Sequence, residues 1–140
     1  MTEVRNHYLI DELEVGMSAS YTQTITDSDV KMFAGLSGDH NPVHLDESYA
    51  SSSRFKNRIA HGLLTASFFS AIFGTKLPGK GCVYASQNLK FRRPVYLGDT
   101  VKAEVTVIAI DVDRKYVTFK TECSVEGRKV TTGTAEIFIP

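Results

Sequence analysis

Asp39 and His44 stand five positions apart in Gly38-Asp39-His40-Asn41-Pro42-Val43-His44, and their types suit them to moving protons. A carboxylate and an imidazole can each act as donor or acceptor near neutral pH. Acid–base work on one bond needs both groups held, and a free loop would let them wander. Pro42 lacks an N–H and biases Asn41 away from helical angles, so Asp39 to Asp46 is expected to be a stiff loop. Asn41 can brace it by bonding neighbouring backbone groups. The same residue types equally suit a carboxylate capping a turn with an imidazole packed beneath it. The pair alone does not separate these readings.

A second candidate is His61-Gly62, at the head of an apolar run. A helix starting there offers unpaired backbone N–H groups and the positive end of the dipole. Gly62 has no side chain to keep a ligand away, so a carbonyl oxygen gaining charge would find a donor. Gly62 could also simply ease a tight entry turn. Ser67 and Ser70 share a face of the same helix. One of them could brace the pair or line a pocket, or bond the preceding turn. Phe73 is a candidate to close a pocket, or plain core. Lys90, Arg92 and Arg93, with Arg54, Lys56 and Arg58, are possible partners for phosphates. Three histidines and a carboxylate (His40, His44, His61, Asp39) raise the question of zinc. Pro42 prevents the helical register that would align His40 with His44, and no metal site is expected.

These groups must be positioned by the surrounding elements. Ser18 to Thr26 alternates and reads as a strand. Thr26 then looks like an N-cap with Asp27 and Asp29 in the first turn, and Gly38 closes the helix it begins. A short helical piece is expected from about Glu47 to Ser52, then a basic loop from Arg54 to Ala60. From Gly62 to Phe73 apolar residues cover nearly the whole circumference, which predicts a helix buried on all sides. Strands follow: Cys82 to Val95 as one long strand, then Val101 to Ala109 and Val117 to Val125 alternating, then Arg128 to Ile139 after a Glu126-Gly127 hairpin. Short links force antiparallel pairing, since a parallel crossover takes about a dozen residues. About five antiparallel strands and one wholly apolar helix pack best with the sheet curled round the helix. That is the α+β hot-dog fold. Its exposed edges predict a homodimer.

The chain's 140 residues suit a single domain, taken as 1–140, and no linker or repeat divides it. Sixteen basic residues balance sixteen acidic ones, so no global field selects nucleic acid or an anionic membrane. The longest nearly apolar run, Leu63 to Phe73, falls short of the roughly 20 residues that span a bilayer. The N-terminus lacks the apolar core of a secretory leader, and Cys82 and Cys123 form no C-x-x-C pair. A cytoplasmic protein with reduced thiols is expected.

Taken together, the motifs resemble a known family. Phe33, Leu36, Ser37, Gly38, Asp39, Asn41, Pro42, Val43, His44 and Ala50 fill the signature of the MaoC-like dehydratases, the (R)-specific enoyl-CoA hydratases. The resemblance continues through Asp46, His61-Gly62-Leu63-Leu64, Leu77-Pro78-Gly79 and Phe91-Arg92-Arg93-Pro94-Val95 to Gly98-Asp99. It implies reversible addition of water to a trans-2-enoyl-CoA, with a dimer interface shaping the acyl tunnel. Asp39 and His44 would hold one water, Asp39 taking its proton and His44 protonating C2. The Gly62 amide would steady the enolate oxygen, and Asn41, Ser67, Ser70 and Phe73 would serve binding. The resemblance implies no metal or redox cofactor. Three other readings stay open: a 3-hydroxyacyl-ACP dehydratase, a hot-dog thioesterase, and a non-catalytic acyl-CoA sensor.

Overall fold

The structure is a computed structural model and describes residues 5–140. The leader-free reading of the N-terminus rests in part on residues 1–4, which lie outside that range.

Six antiparallel strands form one sheet: β1 (Ser18–Thr24), β2 (Val83–Gln87), β3 (Lys90–Phe91), β4 (Thr100–Asp111), β5 (Tyr116–Val125) and β6 (Arg128–Phe138). Their order is β1-β4-β5-β6-β2, with β3 also paired to β6. Alternation sends Val101, Ala103, Val105 and Val107 of β4 inward, beside Val117, Phe119 and Cys123 of β5, all fully buried. Glu126 and Gly127 carry the two positive φ angles, 50° and 78°, that a primed hairpin turn requires. Register slips between Val107 and Ala109 and between Cys123 and Ser124 bend the sheet. The first slip also leaves Ala109 exposed, although simple alternation would bury it.

The long strand expected from Cys82 to Val95 is broken in two. Asn88 interrupts it: its side chain donates to Thr134 Oγ1 (2.6 Å) and accepts from the Thr134 N–H (3.1 Å), replacing ladder bonds. Its backbone approaches β6 so closely that only glycine fits opposite. A Cβ on Gly133 would lie 1.9 Å from the Asn88 carbonyl oxygen.

Among the described residues four α-helices and a short 3₁₀ helix (Ile10–Glu12) complete the fold: α1 (Asp27–Ser37), α2 (Pro42–Leu45), α3 (Glu47–Ser51) and α4 (Gly62–Thr75). In α1, the Thr26 hydroxyl accepts from Asp29 N–H while the Asp29 carboxylate accepts from Thr26 N–H. Gly38 ends it at φ 82°. The segment expected to be pure loop contains α2. Proline forbids helix before itself but suits the first helical position, and Asn41 Oδ1 caps the turn by accepting from Val43 N–H at 3.2 Å.

Against the curve of the sheet lies α4, touching β1, β4, β5 and β6. Leu64, Thr65, Phe68, Phe69, Ile72 and Phe73 are buried there. Each buried phenylalanine is worth about 1.5–3 kcal/mol of transfer free energy. The helix is not enclosed on every side. Leu63, Ser67, Ser70, Ala71 and Gly74 form an exposed stripe, because the sheet reaches only the opposite face. No helix among the described residues is long and apolar enough to cross a membrane.

The contact at Gly133 gives a direct test of how β2 and β3 are pinned to β6. Gly133→Ala is expected to destabilise the fold by about 1–3 kcal/mol, an overpacking cost. A lowered denaturant midpoint with unchanged slope would register it. A midpoint equal to that of the parent chain would contradict the close approach.

Candidate active site

Two chain segments converge at the head of α4. The first leaves α1 through Gly38. The Ser37 hydroxyl donates to the Phe33 carbonyl (2.7 Å) and accepts from Asp39 N–H (3.1 Å), fixing the start of the turn. Asp39 Oδ1 in turn accepts from Asn41 N–H at 3.2 Å. The second segment is the basic loop leading into α4. Its Ile59 N–H donates to the Val43 carbonyl at 3.3 Å, and Ala60 N–H to the Val95 carbonyl at 2.7 Å.

His44, buried on α2, is clasped by that loop. Its Nδ1–H donates to the Ile59 carbonyl at 2.7 Å, so in the neutral ring Nε2 carries the lone pair. Arg58 Nε donates to the His44 carbonyl at 2.6 Å, and Arg58 Nη1 pairs with Asp27 Oδ1 at 2.7 Å. Asp39 Oδ2 stands 4.0 Å from His44 Nε2. That gap is too long for a direct hydrogen bond but lets both groups bond one water at about 2.8 Å each. The Asp39 side chain is 51% exposed, so one member of the pair faces solvent and the other is enclosed. Burial pushes the His44 imidazole below its ordinary 6.5, helped by the neighbouring His61 and opposed by the Ile59 carbonyl and the Asp39 carboxylate.

His61, the residue before α4, packs its ring on that of His44 at 3.8 Å between centroids and 29° between planes. Its Nε2–H donates to the Asp39 carbonyl at 3.0 Å. Asp39, His44 and His61 each offer a ligand atom, all within 4.8 Å of one another. His40 is not in this set; its ring bonds the Gly38 carbonyl. The three groups are suited to sharing protons and also, by type, to holding a cation.

A cavity of about 620 Å³ opens on the pair, within the usual range of small-molecule sites. Phe33, Phe55, Leu63 and Val95 give it apolar walls, and Arg54, Arg92 and Arg93 also line it. Gly62 and Leu63, as the first residues of α4, have N–H groups with no partner inside the helix. The space above Gly62 is not open, however. A Cβ there would lie 2.6 Å from the Phe91 ring, so the missing side chain makes room for Phe91. Phe91 is half-exposed, and its ring covers the side of Gly62 where a side chain would stand.

Of the residues picked out in the sequence, Asp39, His44 and Gly62 share the cavity. Asn41, Ser67, Ser70 and Phe73 do not line it. Asn41 is spent on capping α2. The Ser67 hydroxyl donates back to the Leu64 carbonyl at 2.5 Å, and Ser67 and Ser70 lie on the exposed stripe, turned away from the cavity within this chain. Phe73 sits in the core, edge-on to Phe119 and Tyr84. His61, Arg58 and Phe91 all stand in the motifs read from the sequence, but the stacked ring, the clasp on His44 and the cover over Gly62 are roles that only the structure shows. The sequence pairs His61 with Gly62 as the head of the helix, whereas Arg58 and Phe91 act only through distant contacts.

The MaoC-like domain model matches residues 11–132, most of the chain. The chain belongs to that family. Within the MaoC-like proteins it is 50% identical over 134 residues to the (R)-specific enoyl-CoA hydratase of Rhodospirillum rubrum, covering 96% of this chain and 92% of that protein. The solved (R)-hydratase of Aeromonas caviae involved in PHA biosynthesis superposes with a TM-score of 0.89 at 42% identity, covering 91% of this chain and 98% of that one. An R-hydratase of Pseudomonas aeruginosa superposes at 0.88 with 45% identity, covering 94% and 84%. These MaoC-like neighbours carry the hot-dog fold expected from the sequence.

The depressed His44 pKa has a measurable consequence. Between its folded value and 6.5 the unfolded chain binds more protons. The stability contributed by the buried neutral ring is therefore present above about 6.5 and lost as pH falls through the folded value. The His44 ring resonances are expected to titrate below 6.5, and lower still in Asp39→Asn, which removes a carboxylate favouring the charged ring. A midpoint at or above 6.5 in the parent chain would contradict the burial argument.

Proposed function

We propose that this protein is an (R)-specific enoyl-CoA hydratase, adding water reversibly to a trans-2-enoyl-CoA to give an (R)-3-hydroxyacyl-CoA. The observation that carries the reading is the Asp39–His44 pair, 4.0 Å apart at the head of α4 and facing a cavity of about 620 Å³. Asp39 and His44 hold one water between them. Asp39 accepts a proton from it as the oxygen bonds to C3, and the C2–C3 π electrons move toward the thioester carbonyl. That proton passes by way of the same oxygen to the Nε2 lone pair of His44, which delivers it to C2 as the charge returns, leaving both groups as they began. The Gly62 N–H donates to the enolate oxygen, aided by the positive end of α4. Protons and electrons balance without a redox partner or a metal.

The CoA form of the substrate is supported by Arg54, Arg92 and Arg93 on the cavity wall, cations that suit phosphate groups. A cytoplasmic location is supported by the two cysteines, both free thiols. The protein is a homodimer in this reading. Support comes from β2, at one end of the sheet order with Val83 to Ser86 exposed, and from the bare stripe of α4. Pairing there would bring Ser67 and Ser70 against the partner and return them to a binding role.

Crotonyl-CoA provides the decisive assay. Loss of conjugated-thioester absorbance without thiol release is expected, with (R)-3-hydroxybutyryl-CoA as the product by chiral chromatography. Asp39→Asn and His44→Ala are each expected to lower kcat about 10²–10⁴-fold, the usual worth of a general acid or base. Thiol release would make the protein a thioesterase, and absence of both signals a sensor. Parent-level turnover by either variant would remove that residue from the mechanism. Activity should survive chelation by EDTA; its loss would put a metal on Asp39, His44 and His61.

The dimer is tested separately. Sedimentation is expected to give about twice the chain mass of 15.5 kDa, and Ala71→Arg on the exposed stripe should shift it toward the monomer. A monomeric parent chain would overturn this part of the reading.

A further inference from the structure

We infer that His61 is a positioning residue for the hydration reaction, holding Asp39 at its distance from His44 through the hydrogen bond to the Asp39 main chain. The inference rests on the acid–base role proposed for that pair. Asp39 has few other anchors. Among the described residues, its remaining hydrogen bonds run to Ser37 and Asn41, each two positions away in sequence, and its side chain is half in solvent. Local bonds of that kind fix the turn but not where the turn sits. The bond from His61 Nε2–H spans 22 residues and ties Asp39 to the residue that leads directly into α4, the rigid element of the core. The same ring lies flat against His44 and tilts against Phe33, 4.8 Å between centroids. One imidazole therefore references both members of the pair to the helix head.

The remaining nitrogen sharpens the point. His61 Nδ1 is buried and has no partner. An unpaired buried polar atom costs stability. A residue selected for packing alone would be better as an apolar ring of similar size, which would keep the stack and leave no orphan. What histidine adds at this position is the Nε2–H donor.

Two substitutions separate donor from ring. His61→Phe keeps an aromatic ring but no donor; His61→Gln places an N–H near the former Nε2 without the ring. With crotonyl-CoA, His61→Phe is expected to fold normally, keep KM within about threefold and lose about 10–100-fold in kcat, as for reacting groups displaced by a fraction of an ångström to an ångström. His61→Gln is expected to recover most of that loss. In an Asp39→Asn background His61→Phe should cost nothing further, because it acts through Asp39. Parent-level kcat in His61→Phe, no recovery in His61→Gln, or additive losses in the double variant would each overturn the inference. A direct readout is independent of turnover: the ¹³C resonance of the Asp39 backbone carbonyl should shift in His61→Phe and return in His61→Gln, and an unmoved resonance would overturn it. Failure of the parent chain to hydrate crotonyl-CoA would overturn the proposed function, while the carbonyl resonance would still decide the hydrogen bond.

Discussion

An apolar helix lying against a curved antiparallel sheet can be covered along its side but not at its head. Everything at the candidate site follows from that constraint. Phe69, Ile72 and Phe73 anchor α4 against the fully buried valines of β4 and β5. The first N–H groups of the helix, which have no partner within it, are left facing a space that only loops can enclose. Two segments close that space, the turn after α1 and the basic loop before α4. They are joined to each other by Ile59 to Val43, by His44 to Ile59, and by Arg58 to both α2 and Asp27. The catalytic candidates sit on this seam.

The seam also sorts the two candidate groups, Asp39 and His44, by environment. His44 is enclosed on α2, with one nitrogen committed to a carbonyl and the other left free toward Asp39. Asp39 remains half in water. Enclosure disfavours the charged imidazole, while the carboxylate keeps its solvation. The apolar walls from Phe33, Phe55 and Val95 limit the bulk water that can reach the pair.

Elements with strong local signals were legible in the sequence. The capping box at Thr26, Gly38 ending α1, the Glu126-Gly127 turn and the alternation of β4 and β5 each depend on residues close in the chain. Readings that failed depended on distant contacts. The strand from Cys82 breaks at Asn88 because Asn88 finds Thr134 and Gly133 on β6. Pro42 was legible as a constraint, but a proline at a first helical position resembles a proline in a loop until Asn41 is seen capping Val43. The apolar circumference of α4 suggested complete burial, while the single sheet covers only one face and leaves Ser67 and Ser70 outside.

By itself, the sequence determined the candidate groups and most of the elements that bear them. Residue type, helical spacing and turn propensity are local properties that marked Asp39, His44 and Gly62 as separate candidates, and the resemblance to the MaoC-like family joined them in one site. Only the tertiary structure decided how those groups are held. The stacking of His61 on His44, its bond across to Asp39, and the Phe91 ring over Gly62 link residues many positions apart. Such contacts exist only once the chain has folded around α4, because no local preference encodes which distant backbone carbonyl or glycine a side chain will meet.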